Sequence, residues 1–322
     1  MRSLSLLLLV GCNTPEAEPA AGADTSDAAW DALTVREKCF SGLGDEAAGM
    51  PVYDPASPVI GRHCSGTDHQ DIDGVQKVVF VGDSITAGTP PTEADDYYRA
   101  VLTGMLEERF GPLEVADCSA WGARTDDLLL DPHKQLLTCL PAPQDKNTLI
   151  VMTMGGNDMM ALLEDIAEGA SAEAIQADVD RYAGLLDDAI AWVRAEEATR
   201  FPAGVSVVFA NVYEFTDATG DVHSCAVAEA IGFPQPTAEQ ATLLRSAYLS
   251  INEQYMQTAT RYGADMIFLL EQFCGHGFYA GDADNECFRG ADAEVWFDGT
   301  CIHPNPDGHE QIAKMFYDVI AN

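Results

Sequence analysis

From about Lys77 onward, hydrophobic and polar positions follow two alternating patterns. Short runs that are apolar at nearly every position are separated by longer segments in which apolar residues recur every three or four positions. The first pattern is typical of strands buried on both faces, and the second is typical of amphipathic helices. The apolar runs predict strands over 78–81, 113–116, 148–154, 205–211 and 266–270. Their alternation with helices predicts an α/β fold with a parallel sheet covered on both sides.

The helices predicted between these strands differ in length and regularity. In the segment from Pro236 to Tyr262, for example, Leu244, Tyr248 and Ile251 fall on one stripe. The predicted helices cover 95–110, 125–140 with an interruption near Pro132, 171–198, 236–262 and 309–320. No internal repeat is visible, and we interpret residues 77–322 as one domain.

The first 76 residues do not follow this alternation. A short apolar stretch ends in Leu-Val-Gly before Cys12, which resembles the lipobox of bacterial lipoproteins. That resemblance implies a signal peptide over 1–11 and lipidation of Cys12, while an ordinary secretion signal or a misassigned start codon stays open. Residues 12–29, rich in Ala, Pro, Glu and Asp, predict a disordered tether. Residues 30–76 predict an irregular extension pinned by disulfides.

Charge narrows the range of partners. The chain has 17 Lys and Arg against 52 Asp and Glu, a formal net charge of −35. A nucleic-acid partner is excluded because no basic stripe exists to replace counterions on a phosphate backbone. The same charge disfavours electrostatic docking on anionic lipid, so we expect membrane contact only through an N-terminal lipid anchor. A composition that is 47% hydrophobic nevertheless allows a substantial core.

The cysteines indicate an oxidising compartment. Nine are present, and eight remain when Cys12 is assigned to lipidation. An even number in an exported chain predicts up to four disulfides, whose pairing cannot be deduced from the sequence. No CxxC pair occurs, which disfavours a zinc ribbon or a thioredoxin-like redox site. We therefore expect an exported protein, lipid-anchored to the bacterial cell envelope or otherwise secreted.

Two predicted strands end in small polar turns. The first runs into Gly82-Asp83-Ser84, and the strand over 148–154 runs into Gly155-Gly156-Asn157. Ligands of open parallel sheets bind beyond the carboxyl ends of the strands, where backbone N–H groups at a helical turn can stabilise negative charge. Taken singly, either turn could be a plain connection or a helix cap.

Together with His303-Pro304-Asn305, these turns resemble the GDSL, or SGNH, family of serine esterases and lipases. A fourth block, Trp121-Gly122-Ala123-Arg124-Thr125, follows the second predicted strand, and the four blocks stand in family order from about Lys77 to the C-terminus. The resemblance implies a three-layer α/β/α fold with a flavodoxin-like parallel sheet. The chain contains no GxSxG elbow, which agrees with this fold rather than the α/β-hydrolase fold.

The resemblance also implies roles for single residues. Ser84 would be the nucleophile and His303 the general base. The backbone N–H groups of Ser84 and Gly122 and the side-chain amide of Asn157 would form the oxyanion hole. No metal or organic cofactor is expected.

The acidic member of the triad departs from the family pattern. The family places it three residues before the histidine, where this chain has Thr300, and Asp298 stands five residues before. We assign Asp298 as the triad acid, on the expectation that a bulged loop lets it reach Nδ1 of His303. A backbone carbonyl could orient the imidazole instead, and Asp292 and Glu294 are less favoured candidates for the triad acid.

Other chemistry-bearing residues have less support. His309 opens the last predicted helix and is expected in a surface or capping role. Asp282, Asp284 and Glu286 alternate as calcium ligands might, but they lack the glycine and final glutamate of a calcium loop, so a solvated acidic loop is the default. Trp121 and Trp296 flank assigned blocks and are candidates for an acyl pocket or for buried packing.

These observations predict an exported serine hydrolase that cleaves lipid, short-chain or acetyl esters through an acyl-enzyme. One alternative is an acyltransferase or acetylesterase acting on surface polysaccharide, since the same acyl-enzyme serves both reactions. A second alternative is a surface lipoprotein that kept the fold and lost activity.

Overall fold

A computed structural model describes Cys39 and residues 64–141, 143–195 and 197–321. The predicted signal peptide, Cys12, the tether and most of the predicted extension lie outside the described residues. In the part of the chain that is described, every helix is too short or too polar to cross a membrane.

Five strands form a parallel sheet with the order β2-β1-β3-β4-β5. Every residue of β1 and β3 is buried, as expected for central strands covered on both faces. The strands are β1 (Lys77–Gly82), β2 (Glu114–Asp117), β3 (Thr148–Thr153), β4 (Val205–Ala210) and β5 (Asp265–Ile267). The α/β fold with a parallel sheet is thus confirmed, with each strand within a few residues of its predicted position.

Among the described residues, ten α-helices and three 3₁₀ segments lie between or after the strands. The helices are α1 (Ser84–Ala87), α2 (Tyr98–Phe110), α3 (Gln135–Cys139), α4 (Gly156–Ala167), α5 (Ala172–Arg194), α6 (Glu197–Arg200), α7 (Ala226–Ala230), α8 (Ala238–Tyr262), α9 (Leu269–Phe273) and α10 (Pro306–Ala321). The 3₁₀ segments are Ala94–Asp96, Thr125–Leu128 and Val222–Ser224. Helices α2 and α10 pack together, and α4, α5 and α8 form a second group. The sheet lies between these groups, and its apolar side chains form the core with theirs.

The last strand is shorter than predicted. The prediction extended it to Leu270, but only Asp265–Ile267 is a strand, and α9 begins at Leu269. The neighbouring strand β4 ends at Ala210, which pairs with Ile267, so the chain has no ladder to join beyond that point. The N–H of Leu270 instead donates to Oδ1 of Asn211 at 2.9 Å, a tertiary hydrogen bond that hydrophobic patterning cannot reveal.

Four disulfides join the eight cysteines that follow Cys12, in agreement with the predicted maximum. The pairs are Cys39–Cys64, Cys118–Cys139, Cys225–Cys301 and Cys274–Cys287. The Cys225–Cys301 bridge ties a loop that follows β4 to the loop that precedes α10, across 76 residues of chain. Its position fixes the C-terminal loop that contains the predicted catalytic histidine.

The two edges of the sheet differ. Strand β2 forms one edge, is exposed at three of its four positions, and begins and ends with the acidic residues Glu114 and Asp117. At the other edge, Gly66 bridges Ile267 in antiparallel fashion, and the N–H of Thr67 donates to Met266 O at 2.9 Å. A side chain at Gly66 would place its Cβ only 2.4 Å from Met266 O, so this close approach requires glycine.

Candidate active site

Ser84 is the first residue of α1, immediately beyond the carboxyl end of β1. Asp83, which is buried, caps this helix by accepting a hydrogen bond from the N–H of Ile85 at 3.0 Å. The same carboxyl oxygen accepts the hydroxyl of Thr153 at 3.1 Å. Burial raises the pKa of Asp83 to about 7. These bonds hold the serine turn against the end of β3.

A glutamine fixes the residue before this cap. Gly82 donates its N–H to Oε1 of Gln135 at 2.6 Å, and Nε2 of Gln135 donates back to Gly82 O at 2.8 Å. Gly82 has φ of 143°, and a Cβ there would lie 2.3 Å from Thr153 O. The strand end that presents Ser84 is therefore held by a buried amide on α3. The sequence carries no local signal that selects Gln135 for this role.

His303 lies beside Ser84, although 219 residues separate them in the chain. Its Nε2 is 2.9 Å from Ser84 Oγ, the distance of a hydrogen bond. Burial lowers the pKa of His303 below its ordinary value of 6.5, and the charge of Asp298 opposes this effect. A neutral imidazole in contact with a serine hydroxyl can accept its proton.

The other ring nitrogen of His303 faces a threonine. Nδ1 is 2.8 Å from Thr300 Oγ1, and the Thr300 hydroxyl donates to Asp298 Oδ1 at 2.5 Å. Asp298 does not reach Nδ1 directly, as the bulged loop was predicted to allow, because the Thr300 hydroxyl stands between them. The signal for Thr300 was present in the sequence, since it occupies the position where the family carries its acid.

The Asn157 side chain lies at the start of α4. Its amide donates one hydrogen to Ala123 O at 2.8 Å, which leaves the second N–H available to a ligand. Asp158 ties the same two segments together, since it accepts the N–H and the hydroxyl of Thr125 at 3.0 and 2.7 Å. Burial raises the pKa of Asp158 to about 6. Gly122, with φ of 75°, precedes Ala123 but is not among the residues that line the cavity described next.

Ser84, Asn157 and His303 line one cavity. Away from these polar groups its wall is largely apolar and includes Met160, Val212, Phe215, Tyr248, Leu269 and Ile302. A second apolar cavity shares the wall formed by Met160, Glu214, Phe215 and Tyr248. Its remaining apolar lining comes mainly from Leu163, Val222, Leu244, Leu249 and Leu270. The serine, histidine and amide groups thus face a largely apolar cavity, and residues of α8 line part of the second cavity beside it.

One carboxyl group interrupts this apolar wall. Glu214 accepts the N–H groups of Thr216 and Ala218 at 2.5 and 2.6 Å, so both of its oxygens are engaged by the backbone. Burial raises the pKa of Glu214 above its ordinary value. Its contacts indicate that it holds the turn after β4.

Two expectations about other residues need correction. His309 is fully buried rather than at the surface, because α10 begins at Pro306 and turns this position toward the core with Ile312 and Phe316. Its Nδ1 accepts the N–H of Tyr98 at 3.2 Å, and burial lowers its pKa to about 4. Neither tryptophan lines the cavity: Trp121 donates its indole N–H to Gly88 O, and Trp296 stacks on His276.

The alternating acidic segment is exposed, as predicted for a solvated acidic loop. Glu286 forms an ion pair with Arg245, and Asp282 Oδ1 accepts the N–H of Asp284 at 3.0 Å. Among the described residues, no three His, Cys, Asp or Glu side chains are grouped as metal ligands would be.

Residues 80–311 match the model of a family described as GDSL-like lipase/acylhydrolase, which is more than half of the chain. The extracellular lipase of Streptomyces rimosus is similar in structure, with a TM-score of 0.51, at 17% identity over 76% of this chain and 99% of that one. This likeness concerns the fold.

Two further solved structures are more distant. An acetyl xylan esterase has a TM-score of 0.47 at 16% identity, over 75% of this chain and 98% of that one. A lipase from a goat rumen metagenome has a TM-score of 0.47 at 17% identity, over 76% and 97% of the two chains. No curated protein matches the chain.

Proposed function

The chain belongs to the GDSL-like lipase/acylhydrolase family, and from this premise we propose that it is an exported serine esterase that cleaves carboxylic esters through an acyl-enzyme. The observation that carries the proposal is the 2.9 Å contact between His303 Nε2 and Ser84 Oγ at the end of an apolar cavity. Four disulfides support export, because such bonds persist in oxidising compartments.

The reaction follows from the positions of these atoms. Ser84 Oγ attacks the ester carbonyl while its proton passes to His303 Nε2, and the carbonyl oxygen becomes an oxyanion. Two donors for that oxyanion are the free side-chain N–H of Asn157 and the backbone N–H of Ser84. The N–H of Ser84 has no acceptor within α1 because Ser84 is the first residue of that helix. Gly122 N–H is the third donor in this proposal.

Collapse of this intermediate breaks the bond to the alcohol, which takes the proton from His303 and leaves an acyl group on Ser84. Water then repeats the sequence: His303 accepts its proton, the ester to Ser84 breaks, and the acid leaves as the serine hydroxyl regains the proton. Both half-reactions use the same groups, and no redox partner or metal enters the balance.

The cavity supports a substrate with an acyl chain of several carbons. It shares the wall formed by Met160, Phe215, Tyr248 and the backbone-bonded Glu214 with the second apolar cavity. Each methylene buried in this apolar space would contribute about 0.8 kcal/mol. An acetyl group would fill only the part next to Ser84. The charge of −35 disfavours anionic substrates at low salt.

Labelling with a fluorophosphonate tests the nucleophile. We expect the full-length protein to label at Ser84, and Ser84→Ala and His303→Ala to lose nearly all labelling and hydrolysis of p-nitrophenyl esters. Ser246→Ala on α8, whose hydroxyl donates to Thr242 O, and His133→Ala are the matched controls and retain both. Folded wild-type protein that fails to label at Ser84 would contradict an esterase and favour the inactive lipoprotein.

Hydrolysis across p-nitrophenyl esters from acetate to dodecanoate tests the substrate class. Leu244→Trp fills the second cavity, and displacing two methylenes corresponds to about a 15-fold loss of kcat/KM toward octanoate. Acetate hydrolysis stays within twofold, and Leu130→Trp, at an exposed leucine, changes neither. Labelling at Ser84 with no preference for longer chains would overturn the substrate class and leave the esterase intact.

A further inference from the structure

The loop from Asp298 to His303 is closed by its own hydrogen bonds. Asp298 Oδ1 accepts both the N–H of Thr300 at 2.7 Å and its hydroxyl at 2.5 Å, and Asp298 N–H donates to His303 O at 2.9 Å. Cys301 has φ of 76° and is bonded to Cys225, which anchors the loop from outside. The Thr300 hydroxyl is therefore held between a buried carboxylate and the imidazole.

The hydrogens of these groups can be counted. A carboxylate only accepts, and a threonine hydroxyl has a single hydrogen. Because the hydroxyl contacts both Asp298 and His303, it must donate to the carboxylate and accept from Nδ1–H of the imidazole. The proton on His303 then lies on Nδ1, and Nε2 presents its lone pair to Ser84.

Building on the proposed function, we propose that Thr300 is a positioning residue that couples Asp298 to His303. Its hydroxyl fixes the tautomer and the orientation of the imidazole. When His303 takes the proton of Ser84, the carboxylate stabilises the positive ring through the polarised hydroxyl without touching it. No proton leaves Nδ1 or the threonine hydroxyl. The only proton that moves is the one transferred from Ser84 Oγ to His303 Nε2.

One feature of Asp298 agrees with this arrangement. The carboxylate is buried, and its Oδ2 atom has no hydrogen-bond partner, so the Thr300 side of the carboxylate carries all of its side-chain bonds. A turn that served the backbone alone would need only the bond from Thr300 N–H. The second bond, from the hydroxyl, is the one that links the carboxylate to the site.

The test compares Thr300→Val, which keeps the shape and removes the hydroxyl, with Thr300→Ser, which keeps the hydroxyl. We expect T300V to lower kcat about 10²-fold with KM within twofold, a loss typical of impaired acid–base catalysis. T300S should stay within about threefold of the wild type. Asp298→Asn should resemble T300V, and the T300V/D298N double variant should be no slower than T300V, since the two residues act as a unit.

A swap separates coupling from folding. Thr300→Asp combined with Asp298→Asn moves the carboxylate to the position that contacts Nδ1, and we expect it to recover at least tenfold of the kcat lost in D298N. Urea midpoints of all variants show whether a loss of kcat reflects unfolding. Additive losses in the double variant, or T300V at wild-type kcat, would overturn the coupling.

The tautomer can also be read without any turnover, which keeps this inference distinct from the proposed esterase. In protein labelled with ¹⁵N-histidine, long-range ¹H–¹⁵N spectra should show His303 protonated at Nδ1 in the wild type and in T300S, and mixed in T300V. A wild-type ring protonated at Nε2 would overturn the relay even in an active enzyme. An Nδ1 proton in a protein without esterase activity would contradict the proposed function and leave the role of Thr300 in fixing the tautomer standing.

Discussion

Removing the Cys225–Cys301 bridge should destabilise the protein by several kcal/mol. The bridge closes 76 residues, and the loop-closure entropy that it removes from the unfolded chain corresponds to about 4.5 kcal/mol at 25 °C. Both sulfurs are buried, so we choose Cys225→Ala with Cys301→Ala to leave no free thiol. The Cys274–Cys287 bridge closes only 13 residues, and its removal by Cys274→Ala with Cys287→Ala should cost about 3 kcal/mol.

Urea unfolding followed by far-UV circular dichroism measures both losses. The C225A/C301A variant should also show a steeper transition, because an unfolded chain without this bridge exposes more surface. A loss for C274A/C287A that equals or exceeds that of C225A/C301A would refute the loop-closure reasoning.

The same pair of variants carries a catalytic contrast. Cys301 lies in the loop between Thr300 and His303, so this bridge is part of the loop. Both cysteines of the shorter bridge are at least 13 residues away from Thr300 in the chain. Under conditions where both variants are folded, we expect C225A/C301A to lose more kcat than C274A/C287A.

Three further predictions concern single side chains. Asn157→Ala should lower kcat by 10²–10³-fold with little change in KM, because one oxyanion donor stabilises the transition state by about 2.7–4 kcal/mol. Steady-state kinetics measure this, and an effect on KM alone would contradict the role of Asn157. The kcat/KM of the wild type should rise with pH through a midpoint below 6.5, since burial lowers the pKa of His303 and only the neutral ring accepts a proton; a pH profile with its midpoint above 7 would contradict this. Glu271 is buried with its pKa raised to about 7 from 4.5, so the folded state keeps its proton where the unfolded state releases it, and the free energy of unfolding falls as pH rises through that window. Glu271→Gln should remove this pH-dependent loss, so in urea titrations the free energy of unfolding should rise by about 3 kcal/mol at pH 8 and change little at pH 4. Equal changes at both pH values would refute burial of the Glu271 carboxyl as the cause.

The sequence predicted what depends on local pattern. The apolar run before Gly82 placed β1 correctly, and the polar turns after β1 and β3 placed Ser84 and Asn157 at neighbouring strand ends. Parallel neighbours bring such turns together whatever the intervening chain does. The pairing of the serine with the histidine therefore required little beyond the pattern and the family resemblance.

The details that the sequence did not yield depend on tertiary contacts. Whether Asp298 or Thr300 faces the imidazole depends on the path of a short loop held by a disulfide whose partner lies 76 residues away. The Gln135 amide reaches Gly82 across 53 residues, and the burial of His309 follows from the residue at which α10 begins. Each of these details depends on a contact between residues far apart in the chain, and hydrophobic periodicity carries no information about such contacts.

The contrasting edges of the sheet bear on how the protein behaves at high concentration. Open strand edges recruit strands from other molecules and so nucleate aggregates. Here the β2 edge carries Glu114, paired with Lys77 and Lys146, and the β5 edge is already bridged by Gly66 and Thr67. Incoming chains would meet charge on one side and an occupied ladder on the other, so the described fold is protected against growth into intermolecular sheets.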